Sequence, residues 1–181
     1  MGSTLTVDNI VGATTAANVK LPAGCILQTV STTKTDTFSS ASASLVDVTG
    51  MSVTITPKYS TSKILIRVNL NWGGVDNIYA AIRLLRGSTV ISHNSSATGS
   101  QTAAAIGCGG DNNNFQWKLE HTGLEFLDSP ATTSATTYKL QQQSTGGPGT
   151  NTWYVNRPHN TTNAAYIVHG TSGMTVMEIA Q

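Results

Sequence analysis

Histidine and serine are the residue types in this chain that could act as a nucleophile, a general base or a metal ligand. The four histidines are far apart in the sequence, and none has the pair spacing of metal ligands: His93, His121, His159 and His169. Ser129 lies in Asp128-Ser129-Pro130, a sequence typical of a turn that the Asp side chain closes by a hydrogen bond. We therefore predict that these residues are structural and that the chain has no catalytic site.

The cysteines, carboxylates and glycine-rich segments do not have the patterns of a zinc site, a glycosidase site or a phosphate-binding loop. Cys25 and Cys108 are too few for a disulfide framework or a zinc ligand set, and we expect two buried, reduced thiols. The carboxylates are few and scattered, whereas glycoside hydrolysis needs a pair at a defined separation. Residues 107–110 lack the following lysine and helix of a phosphate-binding loop, and 146–149 is typical of a loop tip. The sequence predicts no enzyme activity, no metal and no cofactor.

Aromatic and amide side chains remain as candidates for ligand binding. At the strand ends of a polar β-protein, an aromatic ring can stack on a sugar while Asn and Gln side chains bind its hydroxyls. The same rings could instead pack in the core or at a subunit interface, and the sequence leaves both interpretations open. The candidate ligand surface comprises Asp111, Asn112, Asn113, Asn114, Trp117, Trp153, Tyr154 and His159.

Charge is sparse in this sequence. Only 10% of the residues are charged and the net charge is +1, so there is no basic field to attract phosphates or anionic lipids. We expect no nucleic-acid partner and no membrane insertion. Hydroxyl and amide groups must keep the surface soluble, and they do not repel an identical neighbour. This composition favours a protein displayed in many ordered copies, and we predict a small symmetric oligomer.

The hydrophobic pattern predicts an all-β fold. Residues 63–72 alternate almost throughout, which predicts a strand with one side facing a core. The inward side would carry Ile64, Ile66, Val68 and Leu70. Other expected strands are 26–30, 53–55, 78–86, 89–91, 115–119, 124–126, 137–143, 153–155, 165–168 and 175–179, whereas 107–114 is expected to be a loop.

These strands are short and separated by turn residues, without an amphipathic helix of useful length. Gly87-Ser88 is expected to close a hairpin. We predict an antiparallel β-sandwich of jelly-roll type over residues 24–181, with the C-terminal strand near the middle of a sheet.

Residues 1–23 differ from the rest, with too few apolar side chains to form a core and with Pro22 and Gly24 at their boundary. We interpret them as an N-terminal arm, which is either a disordered leader or an extended segment that adds to another subunit or to a scaffold. The anchoring side chains would be Leu5, Val7, Ile10, Val11, Val19 and Leu21.

Several blocks of sequence together resemble a known family. They are GCILQTVSTTKTDTFSSASASLVDVTGMSVTITP (24–57), LLRGSTVI (84–91), LEFLDSPATTSATTYKLQ (124–141), WYVNRP (153–158) and MTVMEIAQ (174–181). Their order and spacing resemble a domain of bacteriophage virion proteins, especially tail-fibre and surface proteins of marine phages, and STLTVDNI (3–10) resembles the leader of such proteins. The resemblance implies a virion structural role, often as a homotrimer, and transfers no catalytic residues.

Two functions of different classes are therefore expected. The first is an oligomeric surface subunit of a phage virion, made in the host cytoplasm and bound to itself and to capsid or tail proteins. It could be a short fibre, which the resemblance favours, or a capsid decoration protein, which the length favours. The second is a glycan- or receptor-binding module at a fibre tip, with a host surface glycan as its partner.

Overall fold

The computed structural model describes residues 21–111, 113–145 and 151–181. In this part of the chain, two antiparallel sheets contain nearly all of the regular structure, and the helical content is one 3₁₀ turn, Phe115–Trp117. The strands are β1 (Ile26–Lys34), β2 (Phe38–Ser40), β3 (Val46–Ile55), β4 (Lys63–Gly74), β5 (Tyr79–Arg86), β6 (Thr89–Ser92), β7 (Ile106–Gly109), β8 (Glu120–Asp128), β9 (Thr136–Ser144), β10 (Trp153–Val155) and β11 (Ser172–Ile179). The predicted all-β fold is confirmed.

The two sheets form a sandwich. Sheet A has the order β1-β11-β4-β10-β2, and β8 pairs with β4 on the side away from β11. Sheet B has the order β3-β9-β5-β6, and β7 also pairs with β5. Because β3, β4 and β5, and later β8, β9 and β11, alternate between the sheets, the chain winds around the sandwich in a jelly-roll-like path, as predicted.

Strand β4 is the central strand of sheet A and follows its sequence pattern. Ile64, Ile66, Val68 and Leu70 are each at most 2% exposed and point into the space between the sheets. The facing side chains of sheet B include Met51, Ile82, Leu84, Tyr138 and Leu140. Alternation with a period of two therefore identified the core correctly.

Two further topological predictions are confirmed. The C-terminal strand β11 lies between β1 and β4, so its apolar inward side chains Met174 and Val176 are fully buried. Strands β5 and β6 form a hairpin in which Arg86 pairs with Thr89. Its turn needs the left-handed backbone of Gly87, whose φ is +58°.

Three local predictions are wrong. Residues 115–119 are not a strand, because Asn114 has a φ of 59° and the chain turns Phe115 into the core. Residues 165–168 form a turn, in which the Ile167 N–H donates to the Ala164 carbonyl. Residues 106–109, largely expected as loop, form β7, because pairing with β5 outweighs the weak strand preference of glycine.

The predicted boundary between arm and domain stays a prediction. The Gly24 N–H donates to the Ala180 carbonyl at 2.9 Å and the Ala180 N–H to the Cys25 carbonyl at 2.9 Å, so β1 is joined to the C-terminus from Gly24 onward. Leu21 is 49% exposed. The other predicted anchors lie outside the described residues: Leu5, Val7, Ile10, Val11 and Val19.

Candidate functional site

Two loops meet at one end of the sandwich and carry half of the candidate ligand residues. Residues 113–118 precede β8 and residues 156–170 follow β10. The Asn160 N–H donates to the Gln116 carbonyl at 2.9 Å. Both loops also contact Gly73 of β4, where a Cβ would lie 2.6 Å from the Arg157 carbonyl oxygen and 3.0 Å from that of Lys118. Glycine is therefore required at position 73 for the loops to pack this closely.

The first loop, residues 113–118, is held in place by contacts with Trp72 and Asp76. Phe115 is buried and its ring centroid lies 5.4 Å from that of Trp72. The Gln116 N–H donates to Asp76 Oδ1 at 2.9 Å, and the Lys118 N–H closes the 3₁₀ turn on the Phe115 carbonyl at 2.8 Å. These contacts hold Trp117 at the surface on a rigid turn.

Trp117 lies against Tyr166 of the second loop. Their ring centroids are 6.0 Å apart with an interplanar angle of 59°. Trp117 is half-buried and Tyr166 is 67% exposed, so the pair presents aromatic surface to solvent. Sequence analysis missed Tyr166 because it assigned residues 165–168 to a strand. An aromatic residue within the polar segment 160–170 was the available signal.

Tyr154 and His159 fix the second loop. The Tyr154 hydroxyl lies 2.9 Å from His159 Nδ1 in a hydrogen bond, and the Arg157 guanidinium lies 4.0 Å from the Tyr154 ring centroid. The guanidinium therefore covers one face of this ring in a cation–π contact. Tyr154 is only 7% exposed, so its role in this structure is to hold the loop, whereas His159 remains partly accessible.

The acidic and amide residues of the first loop are exposed. Asp111 accepts a hydrogen bond from the Asn113 N–H at 3.1 Å, and Lys118 Nζ lies 3.3 Å from its other oxygen. The Asn113 N–H and then Lys118 lower the pKa of Asp111 below its usual range. Asn113 and Asn114 are exposed, and Asn112 lies outside the described residues.

Trp153 does not join this surface. It is 0% exposed and packs edge-on against Phe38, with ring centroids 6.5 Å apart. The reason is its position in β10, which lies between β4 and β2 and is buried along its whole length. The sequence left both ligand binding and packing open for this ring, and the structure places Trp153 in the core.

A shallow cleft of about 470 Å³ lies on the outer face of sheet B, over β5 and β7. Gly107 and Gly109 form its floor, and Tyr79, 51% exposed, stands beside them. Hydroxyls of Ser100 and Thr102 line its rim. None of the described residues that line the cleft is charged, which makes it a second place where a neutral ligand could bind.

The strongest polar cluster joins the two sheets instead of facing solvent. Arg86 Nη1 donates to both carboxylate oxygens of Asp128, at 3.0 and 2.9 Å, and the Tyr138 hydroxyl donates to Asp128 at 2.7 Å. Burial, followed by the Asp128 carboxylate, raises the pKa of Tyr138 well above its usual value. The predicted Asx-type turn at Asp128 is therefore wrong, because this side chain points inward from the end of β8.

Glu178 of β11 is a second buried carboxylate with a structural role. It is 0% exposed and accepts hydrogen bonds from Gln28 Nε2 at 2.6 Å, the Lys58 N–H at 2.7 Å and the Tyr59 N–H at 3.3 Å. Burial raises its pKa, but the hydrogen bonds outweigh burial and lower it below the usual value. The carboxylate thus joins β1, the segment after β3 and β11.

The remaining candidates for chemistry are isolated. Cys108 is buried as expected, and burial raises the pKa of its thiol to about 12, whereas Cys25 is half-buried and the expectation of full burial is wrong there. Within residues 21–111, 113–145 and 151–181, no three His, Cys, Asp or Glu side chains are grouped to hold a metal ion. No helix in the described part of the chain is long and apolar enough to cross a bilayer.

No protein-family model matches this chain, and neither does any curated protein. Among solved structures, infectious bursal disease virus of the Gt strain matches 100% of this chain with 11% identity and a TM-score of 0.48. The VP2 subviral particle of that virus matches 84% with 15% identity and a TM-score of 0.42, and its T=1 particles match 85% with 11% identity and a TM-score of 0.44. The match covers 43%, 33% and 36% of those three chains, respectively, so this chain spans less than half their length.

Proposed function

We propose that this chain is a non-enzymatic structural protein of a phage virion, an oligomeric surface subunit that its N-terminal arm anchors to the particle. The observation that carries the proposal is a hydroxyl- and amide-rich, hydrogen-bonded surface on a rigid sandwich. On the outer face of sheet B, the Thr54 and Thr137 hydroxyls bond at 2.7 Å and Gln143 Nε2 donates to the Ala43 carbonyl at 2.7 Å. Such a face is compatible with water and with identical neighbours.

The placement of the reactive side chains supports a structural role. Asp128 and Glu178 each use their carboxylate oxygens in buried hydrogen bonds that join strands. Cys108 is a buried thiol with a raised pKa, so it is a poor nucleophile at neutral pH. These three groups therefore have structural roles in the fold.

The arm supports attachment to a larger assembly. Its first residue in the described part, Leu21, is 49% exposed and borders a small cleft with Tyr59, Ala180 and Gln181. Leu5, Val7, Ile10, Val11 and Val19 precede it as apolar side chains that could fill grooves on a capsid or tail protein.

Deletion of residues 2–22 tests the anchoring proposal. In the described part of the chain the backbone bonds between strands begin at Gly24, and the deletion removes only the local bond from the Cys25 N–H to the Pro22 carbonyl. We therefore expect the truncated protein to keep its melting temperature but to be absent from purified particles. Incorporation of the truncated protein at the normal copy number would contradict anchoring by the arm. Cryo-electron microscopy of particles with the intact protein would also give its copy number, which separates a shell protein from a tail protein.

The second candidate function is glycan binding at a fibre tip, and the Trp117–Tyr166 pair favours it. An exposed aromatic pair beside the amides of Asn113 and Asn114 resembles the arrangement that binds neutral sugars. On this proposal, Tyr166→Ala abolishes binding on a glycan array, whereas Val168→Ala, at another exposed apolar residue of the second loop, leaves binding unchanged and is the control. Equal binding by wild type and Tyr166→Ala would contradict a sugar site at this pair.

A further inference from the structure

The two sheets present very different outer faces. On sheet A, five large apolar side chains point away from the core, and we call this set the apolar face. It consists of Ile26, Leu65, Leu127, Met177 and Ile179. Ile26 and Leu127 remain 55% and 48% exposed, and the other three are partly exposed.

The strand register places these side chains side by side. Leu65 of β4 pairs with Met177 of β11 on one side and with Leu127 of β8 on the other, which gives an apolar row across three adjacent strands. Ile26 pairs with Ile179 at the same end of the sheet. The apolar residues are therefore contiguous rather than scattered, which distinguishes them from the single exposed apolar residues that are normal on protein surfaces.

The outer face of sheet B over β3 and β9 is polar instead. Its strands carry Ser52, Thr54 and Thr137 outward, together with a Lys139–Asp47 ion pair at 2.8 Å. The inner faces of both sheets contribute to the same core. The apolar side chains on the outer face of sheet A are not part of that core.

We propose that the apolar face is the contact surface between copies of this chain, an inference that rests on the oligomeric state in the proposed function. Lys63 lies in one of the two rows next to Leu65, where it pairs with Ile179. The other row carries Thr175, Arg67 and Glu125, and the last two are paired at 3.0 Å and are 61% and 60% exposed. Such a row offers both signs of charge, so a second copy can align opposite charges across the contact. A nucleic acid or an anionic membrane would instead need a strongly basic surface.

Leu21, the first residue that the structure describes, lies near one end of the apolar face. Ala180 and Gln181 follow Ile179 directly, and Leu21 borders the same small cleft as these two residues. A second copy packed on the apolar face would therefore lie near Leu21, which is 49% exposed.

The test is the oligomeric state of the full chain by size-exclusion chromatography with multi-angle light scattering. Leu127→Glu and Met177→Glu each place a charge in the apolar row, and we expect each to weaken association by at least about thirty-fold, as for central interface residues. Ser52→Glu places the same charge on an exposed strand position of sheet B and should leave the oligomer intact. Thermal unfolding of each variant checks that the sandwich still forms.

The outcomes separate this inference from the proposed function. If the wild type is an oligomer and both Glu variants are oligomers too, the apolar face is not the contact surface, but the proposal of an oligomeric subunit stands. A wild type that is monomeric at micromolar concentration contradicts both. If a Glu variant fails to fold, Leu127→Thr and Met177→Thr take its place in the test, because threonine favours β-strands and has less apolar surface than leucine or methionine. Unchanged association in the folded Thr variants would also overturn the inference.

Discussion

Glu178→Gln is the substitution that best tests how this sandwich is held together. Glu178 is fully buried in β11 and accepts three hydrogen bonds, two of them short. Glutamine has the same shape but no charge. Its carbonyl oxygen can still accept from the Lys58 N–H, whereas its NH₂ group meets the NH₂ group of Gln28, donor against donor.

The expected loss of stability can be estimated from these contacts. A hydrogen bond to a charged group contributes about 1.5–3 kcal/mol, and a neutral one contributes about 1 kcal/mol. If the Gln28 bond is lost and the Lys58 bond becomes neutral, the cost is about 2–5 kcal/mol. For a domain of this size, that lowers the melting temperature by roughly 4–20 °C.

The same substitution should change the pH dependence of stability. The pKa of Glu178 is lower in the folded protein than its usual value, because its hydrogen bonds outweigh the effect of burial. The contribution of ionised Glu178 to the free energy of unfolding is therefore complete above the usual glutamate pKa. It is lost as the pH falls through the lower pKa that this group has in the folded protein. The stability difference between wild type and Glu178→Gln should be largest near pH 7 and shrink below about pH 4.

Urea denaturation of both proteins at equal concentration and at several pH values measures this difference. Glu120→Gln, at an exposed position of β8, is the matched control and should change the free energy of unfolding by less than about 0.5 kcal/mol. A loss of less than about 0.5 kcal/mol in Glu178→Gln at pH 7, or a loss that does not depend on pH, would refute the role assigned to this carboxylate.

Three further predictions concern the core, the inter-sheet cluster and the thiols. Ile66→Ala removes a fully buried side chain and should cost about 2–5 kcal/mol by denaturant unfolding; a cost below about 1 kcal/mol would mean that β4 does not face the core. Tyr138→Phe removes the hydroxyl that donates to Asp128 at 2.7 Å and should lower the free energy of unfolding by about 1–2 kcal/mol, with no loss expected if that bond is absent in solution. A thiol reagent at about pH 8 should modify the half-buried Cys25 and leave Cys108, whose pKa is raised to about 12, unmodified until the protein unfolds; mass spectrometry of the labelled peptides distinguishes the two.

The sequence alone determined the fold class and much of the strand pattern. Alternation with a period of two is local information, so the residue pattern by itself was enough to assign β4, its inward residues and the β5–β6 hairpin. The apolar C-terminal segment likewise required a position inside a sheet, and β11 has it. Sparse charge, visible in the composition, indicated the hydroxyl- and amide-rich outer face of sheet B.

The tertiary structure decided which polar and aromatic residues lie together. Tyr166 meets Trp117 across two loops, and Arg86 meets Asp128 across two sheets, at sequence separations that no local pattern encodes. Trp153 is enclosed because β10 is an interior strand, a consequence of pairing and not of its neighbours in sequence.

The apolar face illustrates the same division. Each of its side chains is visible in the sequence, and the alternation in β4 already directs Leu65 away from the core. Whether Leu127 and Met177 point into the core or away from it depends on the register of β8 and β11 on β4. A shift of one residue in register would turn them inward. The sequence therefore determined that this chain forms a sandwich with little charge, whereas only the packed sheets determined which of its apolar residues remain at the surface, because pairing between distant strands fixes the direction of every side chain.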